Sequence, residues 1–172
     1  MNLTHEQLNA DVAEYRAAVF RLAFGCTGSR FDADDIAQEV FFKLYKYEKP
    51  FKDDEHKKAF ILRVTVNLCK NLQKSAWFNK RTDYENYKET FKSAPDSVYY
   101  AVNEQESELR ETILQLNPKY RAVIYLFYYE GYTAAETAKI LKISESNVTT
   151  RLNRARNQLK TQLINNKEAV YE

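Results

Sequence analysis

The sequence predicts an all-α protein of two small helical domains joined by an acidic linker, the C-terminal one a helix-turn-helix. Three observations carry that expectation. Three glycines and three prolines in 172 residues are too few for the turns of an all-β chain. Apolar side chains recur at three- and four-residue intervals, the period of a helix with one buried face. The formal charge of +2 is an average of unlike parts: a net +2 over residues 1–80, −4 over 81–108 and +4 over 109–172.

Composition narrows the class further. With 44% hydrophobic and 29% charged residues, the chain can bury a core and is no disordered tail. Two cysteines make no disulfide framework and point to a reducing compartment. No apolar run reaches the ~18–20 residues that span a bilayer. The first residues, MNLTHEQLNADVAEYR, are polar and do not read as a secretory leader. The expectation is a cytoplasmic protein.

The first helix covers residues 6–24, with Leu8, Val12, Tyr15, Val19, Leu22 and Ala23 on its apolar stripe. Gly25, Thr27, Gly28 and Ser29 stop it. A second helix covers 33–47 through Ile36, Val40, Leu44 and Tyr47, with Pro50 just beyond. The charged loop PFKDDEH follows, then a third helix over 57–78 with Phe60, Ile61, Val64, Leu68 and Leu72 inward. Residues 79–105 hold no sustained apolar period and read as linker, with a short helix near its end.

The C-terminal part is sharply punctuated. Asn117-Pro118 opens a helix that runs to Glu130 and stops at Gly131. Thr133 and Glu136 form a capping box ahead of a short helix, 134–141. A tight Lys142-Ile143 turn leads to Ser144, which caps a long helix with Val148, Leu152, Ala155, Leu159 and Leu163 buried. That pattern leaves Ser146, Asn147, Thr149, Thr150, Arg151, Asn153 and Arg154 facing out. These are short hydrogen-bonding groups followed by arginines, suited to base edges and phosphates in a major groove. No acid lies between Glu145 and Glu168, nor between Glu55 and Asp83, and both windows are rich in Lys and Arg.

Residues 116–160 resemble the promoter-reading C-terminal domain of bacterial sigma factors of the extracytoplasmic-function (ECF) class. Leu116, Pro118, Glu130-Gly131, Glu136, Ala138, Leu141, Ile143-Ser144, Val148, Arg151-Leu152 and Arg154-Ala155-Arg156 carry the likeness. The resemblance implies contact with the minus-thirty-five element through a helix starting at Glu145. Its candidate contacts are Ser146, Asn147, Thr149, Thr150, Arg151 and Arg154. Lys142 stands where the family usually has Gly, which requires its φ to stay negative.

The N-terminal half is similar to the same family. Asp34-Asp35-Ile36-Ala37-Gln38-Glu39-Val40-Phe41 looks like the helix that docks on the largest subunit of RNA polymerase. Asp34, Asp35, Gln38, Glu39 and Phe42 are the implied docking residues. Residues 60–68, with Asn71 and Lys74, look like the helix that reads the minus-ten element. Phe51 precedes Asn67 by sixteen positions, the family's spacing, so these two are the implied pocket for a flipped base. An aromatic ring can hold a base by stacking. Arg63, Lys70, Asn71 and Lys74 complete the minus-ten set, with Lys80 and Arg81 along the backbone. In the family the linker threads toward the active-site and RNA-exit channels.

The resemblance implies an ECF-type sigma factor with domains at 1–80 and 109–172 and the linker at 81–108. Its partners would be core RNA polymerase, promoter DNA in duplex and opened form, and an anti-sigma factor of the kind members often have. No nucleophile–base pair is visible, so no enzyme, cofactor or small-molecule substrate is expected. Two other readings stay open. One is a stand-alone helix-turn-helix regulator that binds duplex DNA without polymerase. The other is a metal-dependent hydrolase using Asp32, Asp34, Asp35 and Glu39, with Asp53, Asp54 and Glu55 from a second element. Against it, no His, Ser or Gly-rich phosphate cradle accompanies those acids, and His5 and His56 have no partner at zinc spacing. Cys26 and Cys69 read as small buried hydrophobes rather than a redox pair. Trp77 and Phe78 read as packing aromatics rather than wedges that melt DNA.

Overall fold

Thr4 opens the first helix by a reciprocal bond pair. Its hydroxyl accepts from the Gln7 amide at 3.2 Å, and the Gln7 side chain accepts from the Thr4 amide at 3.0 Å. In the computed structural model, which describes residues 3–75 and 104–171, every regular element is helical. The chain divides into two units, residues 1–93 and 94–172. Trp77, Phe78, Lys80, Arg81 and most of the acidic linker lie outside the described residues.

Among the described residues, the first unit holds three mutually packed helices: α1 (His5–Thr27), α2 (Arg30–Tyr45) and α3 (Asp54–Lys74). α1 runs past Gly25 and ends at Gly28, whose φ of 69° directs its amide back to the Phe24 carbonyl at 2.7 Å. α2 starts three residues earlier than expected because Ser29 caps it, its hydroxyl accepting from the Asp32 amide. The core is made by Val19, Leu22 and Phe24 of α1, Val40 and Leu44 of α2, and Ile61, Leu62 and Val66 of α3.

α3 corrects one expectation. Its buried residues are Ile61, Leu62, Thr65, Val66 and Cys69, whereas Phe60, Val64, Leu68 and Leu72 are only half-buried. The helix is apolar around most of its circumference, so periodicity alone left the face undecided. Packing against both α1 and α2 selects it. At its start, Lys57 pairs with the buried Asp11 of α1 at 2.8 Å. That bond raises the Lys57 ammonium above its ordinary value, and burial raises the neighbouring Tyr15 hydroxyl.

The second unit comprises α4 (Glu104–Leu114), α5 (Pro118–Ile124), a π-helical turn (Tyr125–Tyr129), α6 (Ala134–Leu141) and α7 (Glu145–Tyr171). α4 crosses the expected boundary at residue 108. Arg121, 3% exposed, donates from Nη1 to the Leu114 carbonyl at 3.2 Å and so ties α5 to the end of α4. The helix expected to run unbroken to Glu130 widens instead. Glu130 bonds back to the Tyr125 carbonyl and Tyr132 to that of Leu126, both at 3.0 Å. Leu126 is thereby buried while Tyr128 and Tyr129 face out.

The turn between α6 and α7 corrects a second expectation. Lys142 has φ 54° and ψ 47°, not a negative φ. Both its amide and that of Ile143 return to the Ala138 carbonyl, the latter at 3.1 Å. Closing the helix end this way requires a left-handed residue at the first position past it, whatever the side chain.

Candidate polymerase and promoter surfaces

On α2, Asp34, Asp35, Gln38, Glu39 and Phe42 fall within one face, opposite the buried Ile36, Ala37 and Val40. Asp35, Gln38 and Glu39 are exposed and Asp34 is half-buried. Asp34 faces Arg30 at 3.9 Å and Glu39 pairs with Lys43 at 3.2 Å. The same face carries an aromatic that the motif reading did not single out. Phe31 is 65% exposed, and Phe42, three turns on, is 51% exposed beneath the Lys46 ammonium at 4.2 Å. Two large apolar groups out of phase with the buried stripe were the available signal. Exposed rings among carboxylates suit a protein partner with a basic, partly apolar surface. Among the described residues no three of His, Cys, Asp and Glu stand together as a metal site.

α3 presents its polar residues as one stripe. Phe60, Arg63, Asn67, Lys70, Asn71 and Lys74 share the face turned away from the core. Asn67, Lys70, Asn71 and Lys74 are exposed. Arg63 is half-buried, with its Nε buried and without a hydrogen-bond partner. Phe51 is half-buried in the loop before the helix. It stacks on Tyr47 at 4.9 Å between ring centroids, leans on Phe60 at 5.3 Å and meets His56 edge-on at 5.7 Å. Phe51 thus sits over the face that bears Asn67 two turns further along, a rise of about 10 Å. The ring is anchored by these three contacts.

In the second unit, Thr133 accepts from the Glu136 amide at 3.2 Å while Glu136 accepts from the Thr133 amide at 2.8 Å. The backbone bond from Thr133, then its hydroxyl, lowers the Glu136 carboxyl below its ordinary value. α7 begins at a second cap, with the Asn147 amide on Ser144 Oγ at 3.2 Å. Val148, Leu152 and Ala155 are buried, and Ser146, Asn147, Thr149, Thr150, Asn153 and Arg154 are exposed around them. Arg151, half-buried, donates from Nε to Asn147 Oδ1 at 2.8 Å, so the two form one polar unit one turn apart. Arg156 lies off this set. It donates to the Tyr128 hydroxyl at 2.7 Å and braces α7 on the π turn.

Comparison with known proteins places both units. The Sigma-70 region 2 family matches residues 12–78, and the Sigma-70 region 4 family matches 106–159. The ECF RNA polymerase sigma factor SigL of Mycobacterium tuberculosis is 30% identical over 146 residues, covering 83% of this chain and 80% of SigL. SigW of Bacillus subtilis, also an ECF sigma factor, is 27% identical over 168 residues, covering 90% and 88%. Among solved structures, the fold is similar to RpoE of Bartonella quintana in its complex with the anti-sigma factor NepR. The TM-score is 0.63 at 18% identity, over 90% of this chain and 95% of that one. CnrH in complex with the cytosolic domain of CnrY gives 0.60 at 23%, over 93% and 89%. A match in both regions disfavours a stand-alone helix-turn-helix regulator. The chain belongs to the ECF sigma factors, which bind core RNA polymerase and direct promoter recognition and strand opening at transcription initiation.

Proposed function

We propose how this sigma factor divides its task among its surfaces. The first domain, residues 1–80, docks on core polymerase through Asp34, Asp35, Gln38, Glu39 and Phe42, with Phe31 added. It reads the opened minus-ten strand through Phe51, Arg63, Asn67, Lys70, Asn71 and Lys74. The second domain, residues 109–172, reads the minus-thirty-five duplex through Ser146, Asn147, Thr149, Thr150, Arg151 and Arg154. The linker, 81–108, joins them. The protein works in the cytoplasm by recruitment, without chemistry of its own.

The observation that carries this reading is the α3 stripe: a continuous polar and basic face, opposite the core, in a window of sequence without acids. Electrostatic contact of that kind is salt-dependent, by roughly 0.7 in the log–log slope per single-strand phosphate. Substituting Lys70 and Lys74 together by Gln should weaken minus-ten strand opening and flatten its salt slope by about 1–2. Upstream duplex binding should not change. An unchanged slope in the double variant overturns the assignment of these lysines.

A protein partner also has a place in the second domain. A groove of about 620 Å³ runs between α4, the π turn and the C-terminal part of α7, lined by Leu109, Ile113, Ile124, Tyr128, Leu159 and Leu163. Arg156, Lys160 and Lys167 line it as well. An anti-sigma factor offering apolar side chains flanked by acids fits that surface. The complexes of RpoE with NepR and of CnrH with CnrY support such a partner.

A further inference from the structure

In three of the described helices a side chain at the third helical position reaches back toward the cap. In two of them the reach is the ordinary one. Gln7 accepts from the amide of its cap, Thr4, and Glu136 from that of Thr133. At α3 the pattern departs. Asp53 caps the helix, its Oδ1 accepting from the His56 amide at 2.7 Å. His56 Nδ1, however, passes the cap residue and accepts from the amide of Lys52 at 3.2 Å. Lys52 directly follows Phe51 in the chain.

We propose that His56 is a positioning residue for the minus-ten pocket: by holding the Lys52 amide through Nδ1, it fixes the backbone that aims Phe51. The inference rests on the reading of Phe51 as the ring that holds an unpaired base. Tyr47 and Phe60 fix the ring from its own loop and from α3. Neither holds the peptide between Phe51 and the helix cap. His56 supplies that restraint, and its ring meets Phe51 edge-on as well. An acceptor at Nδ1 requires the neutral imidazole with its hydrogen on Nε2. Glu or Gln at this position would return to the Asp53 amide, as in the two regular boxes, and leave Lys52 untied.

Two substitutions separate the acceptor from the ring. His56→Asn places Oδ1 where Nδ1 stands and removes the ring. His56→Phe keeps the ring and removes the acceptor. The assay uses full-length protein with core polymerase on a promoter duplex that the wild-type holoenzyme recovers from a genomic library. Strand opening is read by permanganate reactivity of minus-ten thymines, and holoenzyme assembly is read in parallel. Loss of one hydrogen bond at the pocket should lower opening by roughly three- to tenfold in His56→Phe. His56→Asn should remain within about twofold of wild type, and assembly should be unchanged in both.

Opening at the wild-type level in His56→Phe overturns the proposal. So does an equal fall in His56→Asn, or a fall in assembly matching the fall in opening. Phe51→Ala runs beside them to separate the two readings. Wild-type opening in Phe51→Ala removes the base-holding reading and, with it, this inference. A defect in Phe51→Ala without one in His56→Phe leaves the pocket standing and removes the role of His56 alone.

Discussion

At Lys142 the backbone adopts φ 54°, and among the described residues no other non-glycine side chain sits at positive φ. The left-handed region costs an L-residue about 1–2 kcal/mol. Glycine, lacking Cβ, is free of that cost, but its greater freedom in the unfolded chain offsets part of the gain. Lys142→Gly should therefore stabilise the protein by roughly 0.5–1 kcal/mol, read as a higher urea midpoint at unchanged slope. A lower midpoint would show that the turn is relaxed as it stands. The sequence marked this position by what it lacked, a glycine, but lysine's own preference argued for negative φ. The two amides converging on Ala138 decide the conformation, and that closure depends on where α6 ends. The outward-facing residues at the start of α7 were legible, because Ser144, Val148, Leu152 and Ala155 fix the phase of the helix. The Phe51–His56 contact was not, since it depends on a side chain reaching past its cap.

At the scale of elements, the caps of α5 and α6 were readable, while the Ser29 cap of α2 and the buried face of α3, apolar around most of its circumference, were not. Thr133 with Glu136, and Pro118 after Asn117, mark α6 and α5 at the expected residues. α3 offers apolar residues in most directions, and its buried side follows from two neighbours that no local pattern reveals. The π turn is hidden for a similar reason: in Tyr125–Tyr129 every position is apolar or aromatic, so no period can show the extra residue. The Asp11–Lys57 pair joins α1 to α3 across 46 positions and has no local signature either. Lys57→Met leaves the Asp11 carboxylate buried without its cation, a loss of roughly 1–2 kcal/mol for a pair near the surface. The sign of its pH dependence follows from the raised Lys57 value. The pair's contribution is complete below the ordinary lysine value of 10.5 and disappears as pH rises through the folded value. The gap in unfolding free energy between wild type and Lys57→Met should be constant near neutrality and narrow above about pH 10.5. A gap that widens with alkali contradicts the assignment.

Across the whole molecule, the near-neutral charge conceals two basic windows, and each lies on a helix with a polar face turned from its core: α3 in the first unit and α7 in the second. The region 2 match covers α3, and the region 4 match covers α7 as far as residue 159. Family membership was legible because the motifs occur together and in order. The groove along α4 and the π turn was not, since its walls come from segments far apart in the chain. A sigma factor differs from a free-standing regulator in needing core polymerase before it selects DNA. The most direct measurement is run-off transcription from genomic fragments of the source organism, using purified core polymerase with and without this chain. Transcripts with fixed start sites should appear only when the chain is present, while the chain alone binds the same fragments poorly. Promoter-dependent initiation on none of the fragments, or equally tight binding without core enzyme, would contradict a role in initiation.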